Sequence, residues 1–283
     1  MMLHLLSLEW KKLKCYNTFK VLAILYALAL PLVFLMGQLF FNHFGEKMQT
    51  GNPANEMFNT DAMFMFPEVW DYLGYVGNWL NFFVLGLLSI ILVTNDYSYK
   101  TLRQNIMTGM SRNQFFLGKL IIMTALCLAA TLYYFLIGMI FGLINTETIF
   151  LHKITQNMDL LFRYFLQCLA YSSFAFLLGW LFRRMALATI AYIIYVMFLE
   201  MVIRYLGHAS IAANKTLHFY PMNAAEDLVP FPVKMMRELF NGPAETQMGF
   251  SFFLTPTEAV ITSLIYTSMF VFFSFRLIKR GDL

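Results

Sequence analysis

Six long, mostly apolar runs constrain this chain more than any other feature: residues 19–41, 76–94, 115–144, 161–182, 186–206 and 257–275. A helix rises 1.5 Å per residue, so about 20 residues cover the roughly 30 Å hydrocarbon core of a bilayer. None of the runs alternates apolar and polar residues in segments of about ten, as the strands of a membrane barrel do. The pattern predicts an all-α membrane protein with six transmembrane helices, forming a single transmembrane domain over residues 1–283. Composition agrees: 59% of residues are hydrophobic and 13% charged, against about 45–50% and about 25% in soluble domains. The first run exceeds the roughly 7–15 residues of a signal-peptide core and lacks a convincing small-residue cleavage site, so it reads as a retained span.

Charge placement sets an expected orientation. With both termini cytoplasmic, the inner segments hold Lys11, Lys12, Lys14, Lys20, Lys100, Arg103, Arg112, Lys119, Arg183, Arg184, Arg276, Lys279 and Arg280 out of 20 basic residues. Only Glu9, Asp96 and Asp282 of the 16 acids fall on that side. This is the positive-inside distribution. The net charge of +4 is thereby explained by topology, and a nucleic-acid partner is not expected. Cys15, Cys127 and Cys168 lie in an inner segment and within two spans, so neither a disulfide framework nor a zinc spacing is available. The five His and 20 Met form no metal-binding pattern.

Residues 1–17 read as an amphipathic interfacial helix, with Leu3, Leu6, Trp10 and Leu13 at helical spacing and Glu9, Lys11, Lys12 and Lys14 on other faces. It suits a lipid anchor or a second docking surface. Pro67 is placed to open a long second helix, with Glu68 and Asp71 in its first turn. Gly138 and Gly142 have the G-x-x-x-G spacing of close helix packing. The outward loop 207–255 is the longest, with a piece at 231–240 that has an amphipathic helical pattern. Thr255-Pro256-Thr257-Glu258 then reads as a capping box opening the last span, which makes Glu258 a cap rather than a catalytic acid.

The polar insert between the second and third spans carries the most local instruction. Leu102, Ile106 and Met110 form an apolar ridge on a short helix expected over 97–110, flanked by Arg103, Gln104, Asn105 and Thr108. Gly109 suits a left-handed stop. Ser111-Arg-Asn-Gln114 is a capping box that restarts a helix, with Met110 and Phe115 as its hydrophobic staple. Helix, break, helix is the expectation. A well-capped turn is the plainer reading, and a groove-binding element is the functional one.

Two further stripes concern what crosses the membrane. Asn78, Asn81, Leu85 and Ser89 share a face of the second span, and Thr189, Tyr192, Ile193, Val196 and Glu200 share one on the fifth. Glu200 and Arg204 are four apart and positioned to pair. An ionisable residue in a span is a functional candidate by default, and a structural pair near the outer headgroups is the alternative.

Asp96-Tyr-Ser-Tyr-Lys-Thr-Leu-Arg103, followed by Thr108-Gly-Met-Ser-Arg-Asn-Gln-Phe-Phe-Leu-Gly-Lys119, resembles the inner-loop motif of type-two ATP-binding-cassette exporter permeases. The six spans, the amphipathic N-terminal helix and the long last outward loop resemble that family too, so the likeness covers nearly the whole chain. It implies a permease in the bacterial cytoplasmic (inner) membrane, both termini inside, paired with a second permease copy and a separate cytoplasmic ATPase. The cytoplasmic coupling helix would meet the ATPase through Thr101, Leu102, Arg103, Ile106, Met107, Gly109, Met110, Ser111 and Arg112. The translocation path would be formed by Asn78, Asn81, Leu85, Ser89, Thr189, Tyr192, Val196 and Glu200. ATP and Mg would sit on the partner, since this chain has no G-x-x-x-x-G-K-[ST], and no catalytic residue is expected here. The substrate implied is an amphipathic lipid, peptide or drug-like molecule. An ion-coupled secondary transporter is the other reading; it would need inverted repeats and helices broken at the midplane, and no clear repeat is visible.

Overall fold

The computed structural model describes residues 2–48, 64–148, 150–211, 215–229 and 253–280, and every regular element among them is helical. The elements are α1 (Met2–Cys15), α2 (Asn17–Met48), α3 (Val69–Ser98), α4 (Thr101–Met107), α5 (Arg112–Asn145), α6 (Leu151–Thr155), α7 (Asp159–Phe182), α8 (Met185–His208), α9 (Pro221–Glu226) and α10 (Pro256–Arg280). Six helices are long and apolar enough to cross a membrane: the segment Asn17–Phe40 of α2, then α3, α5, Leu151–Phe182, α8 and α10. The piece at 231–240 and most of the first outward loop lie outside the described residues.

Two helices form the interior. In α3 and α7 72% of the spanning window is buried, against 17% in α8 and 22% in α2. α7 packs on α3, α5, α8 and α10, while α1 lies against α5. In an apolar solvent such contacts are driven by close packing and hydrogen bonds rather than by water release. Gly138 and Gly142 serve this end within the chain: a Cβ there would come within 2.4 Å of the Trp70 ring and 2.3 Å of the Phe66 ring. The two glycines are thus holes into which aromatic knobs of the 66–70 segment fit. Tyr134 stacks on Tyr164 at 4.2 Å and donates to the Trp70 carbonyl at 2.7 Å.

Several boundaries differ from the sequence expectation. α3 begins at Val69 rather than at Pro67, which lies in the preceding turn. The helix of the fourth span begins earlier than residue 161, because Asp159 opens it with an ion pair to Arg163 at 2.8 Å. α3 and α8 are helical throughout but contain wide π turns, Asn81–Leu85 in one and Tyr195–Leu199 and Ile203–His208 in the other. Each wide turn shifts the side chains beyond it by one position, so a 3.6-residue pattern drawn through it loses its face. At the start of α10 the Thr255 amide donates to Glu258 Oε2 at 2.9 Å, and Lys215 reaches Glu258 Oε1 at 2.6 Å, so Glu258 is a cap.

Candidate functional site

The elbow between α4 and α5 is set by contacts within a few residues of chain. Lys100, with φ of 56°, ends α3 and starts α4, which is why the short helix is Thr101–Met107 and not 97–110. Its exit is a Schellman stop. Gly109 has φ of 100°, the Met110 amide donates to the Asn105 carbonyl at 3.0 Å, and the Gly109 amide donates to the Ile106 carbonyl at 3.1 Å. Ser111 is extended and opens α5: its hydroxyl accepts from the Gln114 amide at 3.2 Å and its amide donates to Gln114 Oε1 at 3.0 Å. This is the capping box that the sequence specifies.

The ridge on α4 faces the bundle. Leu102 is buried, and Ile106 and Met110 are half-buried against the core that contains Phe115. A seven-residue helix has too few internal bonds to hold itself, so the bundle takes the apolar face that the sequence reading offered to a partner. Arg103, Gln104, Met107, Thr108, Gly109 and Ser111 remain outward, with Met107 79% exposed. Arg112 is turned to the end of α10, donating to the carbonyls of Ile278 at 3.2 Å and Lys279 at 2.9 Å.

A buried ionic cluster lies behind the elbow. Lys119 of α5 contacts Glu9 of α1 at 2.5 Å and also pairs with Asp96 of α3, and Asp96 accepts from the Thr101 hydroxyl at the start of α4. Lys12 adds a second contact to Glu9 at 3.0 Å. Burial pushes the Glu9 carboxyl up, but Lys119 and Lys12 together outweigh it and hold it below its ordinary value. Two ammonium groups thus balance two carboxylates, and the four segments meeting there are fixed to one another. Sequence reading missed this cluster. Its signal was Lys119 itself, a cation set between Phe115-Phe-Leu-Gly and Leu-Ile-Ile, where an unpaired charge is expensive.

At mid-bundle, Asn81 sits in a closed polar knot. Its Oδ1 accepts from the Tyr26 hydroxyl at 2.9 Å and the Tyr164 hydroxyl at 3.2 Å, and its Nδ2 faces Gln167 Oε1 at 3.4 Å. Gln167 in turn donates to the Ala225 carbonyl at 3.1 Å. Leu85 and Ser89 are also buried, the Ser89 hydroxyl bonded back to the Leu85 carbonyl at 2.9 Å. Tyr192 is buried and donates to the Phe82 carbonyl, inside the wide turn of α3, at 3.0 Å. Thr189 is half-buried.

The remaining candidates, Asn78, Val196 and Glu200, meet at a cavity of about 630 Å³ at the opposite end from the elbow, between α3, α7, α8 and α9. The expected Glu200–Arg204 pair is replaced there by other bonds. Glu200 accepts from the amides of Met222 at 3.0 Å and Asn223 at 2.7 Å, capping α9, whereas Arg204 donates to the Leu217 carbonyl at 2.9 Å and lies 3.2 Å from His218 Nδ1. Amides without partners at a helix start compete well for a carboxylate. Glu226 and Asp227 also line this cavity, a feature that the sequence reading did not single out. Asp227 Oδ2 accepts from Asn223 Nδ2 and the Leu254 amide, each at 3.1 Å. Burial, aided by the charge of Glu226, pushes the Asp227 carboxyl up to about 7. Burial pushes His218 down to about 4, with Arg204 and Lys215 acting the same way, so the imidazole is neutral at pH 7 and its Nδ1 accepts from Arg204. Among the described residues no group of His, Cys, Asp and Glu is arranged to hold a metal.

No curated protein matches the chain in sequence. The profile of a family described as "Protein of unknown function (DUF2705)" matches residues 32–283, which includes the elbow, both buried polar clusters apart from Glu9, Lys12 and Tyr26, and the whole cavity. The chain belongs to the DUF2705 family.

Proposed function

We propose that this chain is the permease subunit of an ATP-driven exporter, working as a pair of permease copies with cytoplasmic ATPase subunits that carry ATP and Mg. Both termini and the elbow then face the cytoplasm of a bacterial cell, and the cavity faces outward. One observation carries the reading. A capped elbow presents Arg103, Gln104, Met107 and Thr108 outward, and the ionic cluster behind it ties α4 to α1, α3 and α5. A push on α4 therefore moves the feet of two spanning helices together, which is what coupling to an external motor requires. Lipid covers the apolar flanks of the bundle. The path residues divide under this reading. Asn78, Val196 and Glu200 belong to the outward cavity, while Asn81, Leu85, Ser89 and Tyr192 hold the helices that move.

The test is purification of the chain from its native membrane, with identification of bound proteins and assay of ATP hydrolysis. A stoichiometric Walker-motif ATPase is expected, lost in Met107→Asp and Arg103→Glu variants that still elute as folded protein. Absence of any ATPase from the wild-type preparation, or its retention in both variants, overturns the proposal. Arg112→Glu is a poorer probe, because Arg112 also holds the end of α10.

A further inference from the structure

We propose that the cavity between α3, α7, α8 and α9 is a binding site for an amphipathic cation, with Glu226 as its counter-ion. The volume of about 630 Å³ is that of a site for a small organic molecule. Three carboxyl groups, Glu200, Glu226 and Asp227, face it against the single guanidinium of Arg204.

The hydrogen bonds decide which of these groups is available. Glu200 is engaged by two backbone amides, Asp227 by Asn223 and the Leu254 amide, and Arg204 by a carbonyl and His218. The Glu226 carboxylate has no hydrogen bond or ion pair with any described residue; it is exposed to the cavity, burial by the surrounding protein pushes its carboxyl above the ordinary value, and the charge of Arg204, beyond ion-pair distance, only partly offsets this. A second, independent group asks for the same kind of ligand. Asn78 lines the cavity at 4% exposure, and its Oδ1 has no hydrogen-bond partner among the described residues. Carboxylate and amide oxygen are both acceptors, so the missing ligand is a donor or a cation.

Trp79, Phe82 and Tyr171 are among the aromatic residues of the wall. Aromatic faces attract a cation and bury its apolar body at the same time. An anion would meet three carboxyls, and a neutral lipid would leave Glu226 and Asn78 unpaired. As a statement about the exported substrate, this rests on the transporter reading; as a binding site, it does not.

The experiment uses the purified full-length chain without any ATPase, and tetraphenylphosphonium as the probe. Equilibrium dialysis is expected to show saturable binding that Glu226→Gln weakens about tenfold or more and Glu226→Asp largely restores, with tetraphenylborate, the anion of the same shape, failing to compete. Glu226→Gln removes no hydrogen bond or ion pair to a described residue and relieves the burial of a charge, so its thermal midpoint near neutral pH should not fall below wild type. Non-saturable uptake of the cation, equal affinity in Glu226→Gln, or equal competition by the anion each overturns the proposal. Because ATPase capture depends on the opposite end of the bundle, loss of probe binding with the ATPase still bound sinks this site alone. Probe binding by a chain whose purification from its native membrane yields no ATPase leaves the site standing and sinks the transporter reading.

Discussion

The ammonium of Lys119 lies 2.5 Å from the carboxylate of Glu9, a residue 110 positions away, and both are buried. Removing only the cation would leave Glu9 and Asp96 facing each other in a poorly solvated site. Breaking one side of such a cluster costs about 3–5 kcal/mol, whereas replacing the whole set by apolar or neutral groups is often tolerated. Lys119→Met should therefore lower the thermal midpoint in detergent sharply. The triple variant Glu9→Gln, Asp96→Asn, Lys119→Met should recover most of the loss. Equal stability of Lys119→Met and wild type would contradict the cluster.

Gly109 holds φ of 100° with nothing within 4 Å of the position a Cβ would take. Substitution there is a matter of backbone strain alone. Gly109→Ala should cost about 1–2 kcal/mol, and Gly109→Asn less. Thermal unfolding of the two variants orders them, and reversed order would show that the stop is not built on left-handed geometry.

Gly138 is the opposite case, since its added carbon would meet the Trp70 ring at 2.4 Å. Overpacking of this kind costs about 1–3 kcal/mol, so Gly138→Ala should destabilise measurably. Gly207→Ala, where a Cβ meets nothing within 4 Å, is the control and should stay within about 0.5 kcal/mol of wild type. Similar midpoints for both variants would mean that the 66–70 segment does not seat on α5.

Asp227 gives a pH dependence with a definite sign. Its folded carboxyl is raised from 3.8 to about 7, mainly by burial. The folded state holds that proton more tightly than the unfolded chain, so the contribution is present in full below pH 3.8 and is lost as pH rises through about 7. Asp227→Asn stays neutral throughout. Its thermal midpoint relative to wild type should rise steadily from pH 4 to pH 7.5, a range set by that shift. A pH-independent difference would place Asp227 in solvent. Glu226 is also raised by burial, and its charge contributes to the Asp227 shift, so the comparison is made with Glu226→Gln in both proteins.

Legibility tracked the range of the interactions. Gly109, the Ser111–Gln114 box and the Thr255–Glu258 cap were readable because each is completed by atoms within five positions along the chain. The apolar ridge on α4 was readable as a pattern but not as a destination. A helical stripe says that something covers it, and only the packing shows that the bundle does. The Glu200–Arg204 pair failed for a related reason. A spacing of four allows a pair, but Glu200 found two bare amides of α9, and Arg204 found Leu217 and His218. The stripe along α3 was readable as a buried face, but its division, with Asn78 at the cavity and Asn81, Leu85 and Ser89 within the bundle, was not.

The sequence by itself determined the six spanning-length helices, the helix–break–helix order of the elbow and the caps at Ser111 and Thr255, because run length, glycine conformation and cap chemistry act locally. Only the tertiary structure decided that Glu9, Asp96 and Lys119 form one cluster, and that Asn81 is a packing knot while Asn78 faces a cavity. It alone left Glu226 as the one carboxylate there without a hydrogen bond or ion pair to a described residue. Those outcomes depend on competition between partners far apart in the chain, and in an apolar bundle each polar group goes to whichever donor or acceptor the packing brings within reach.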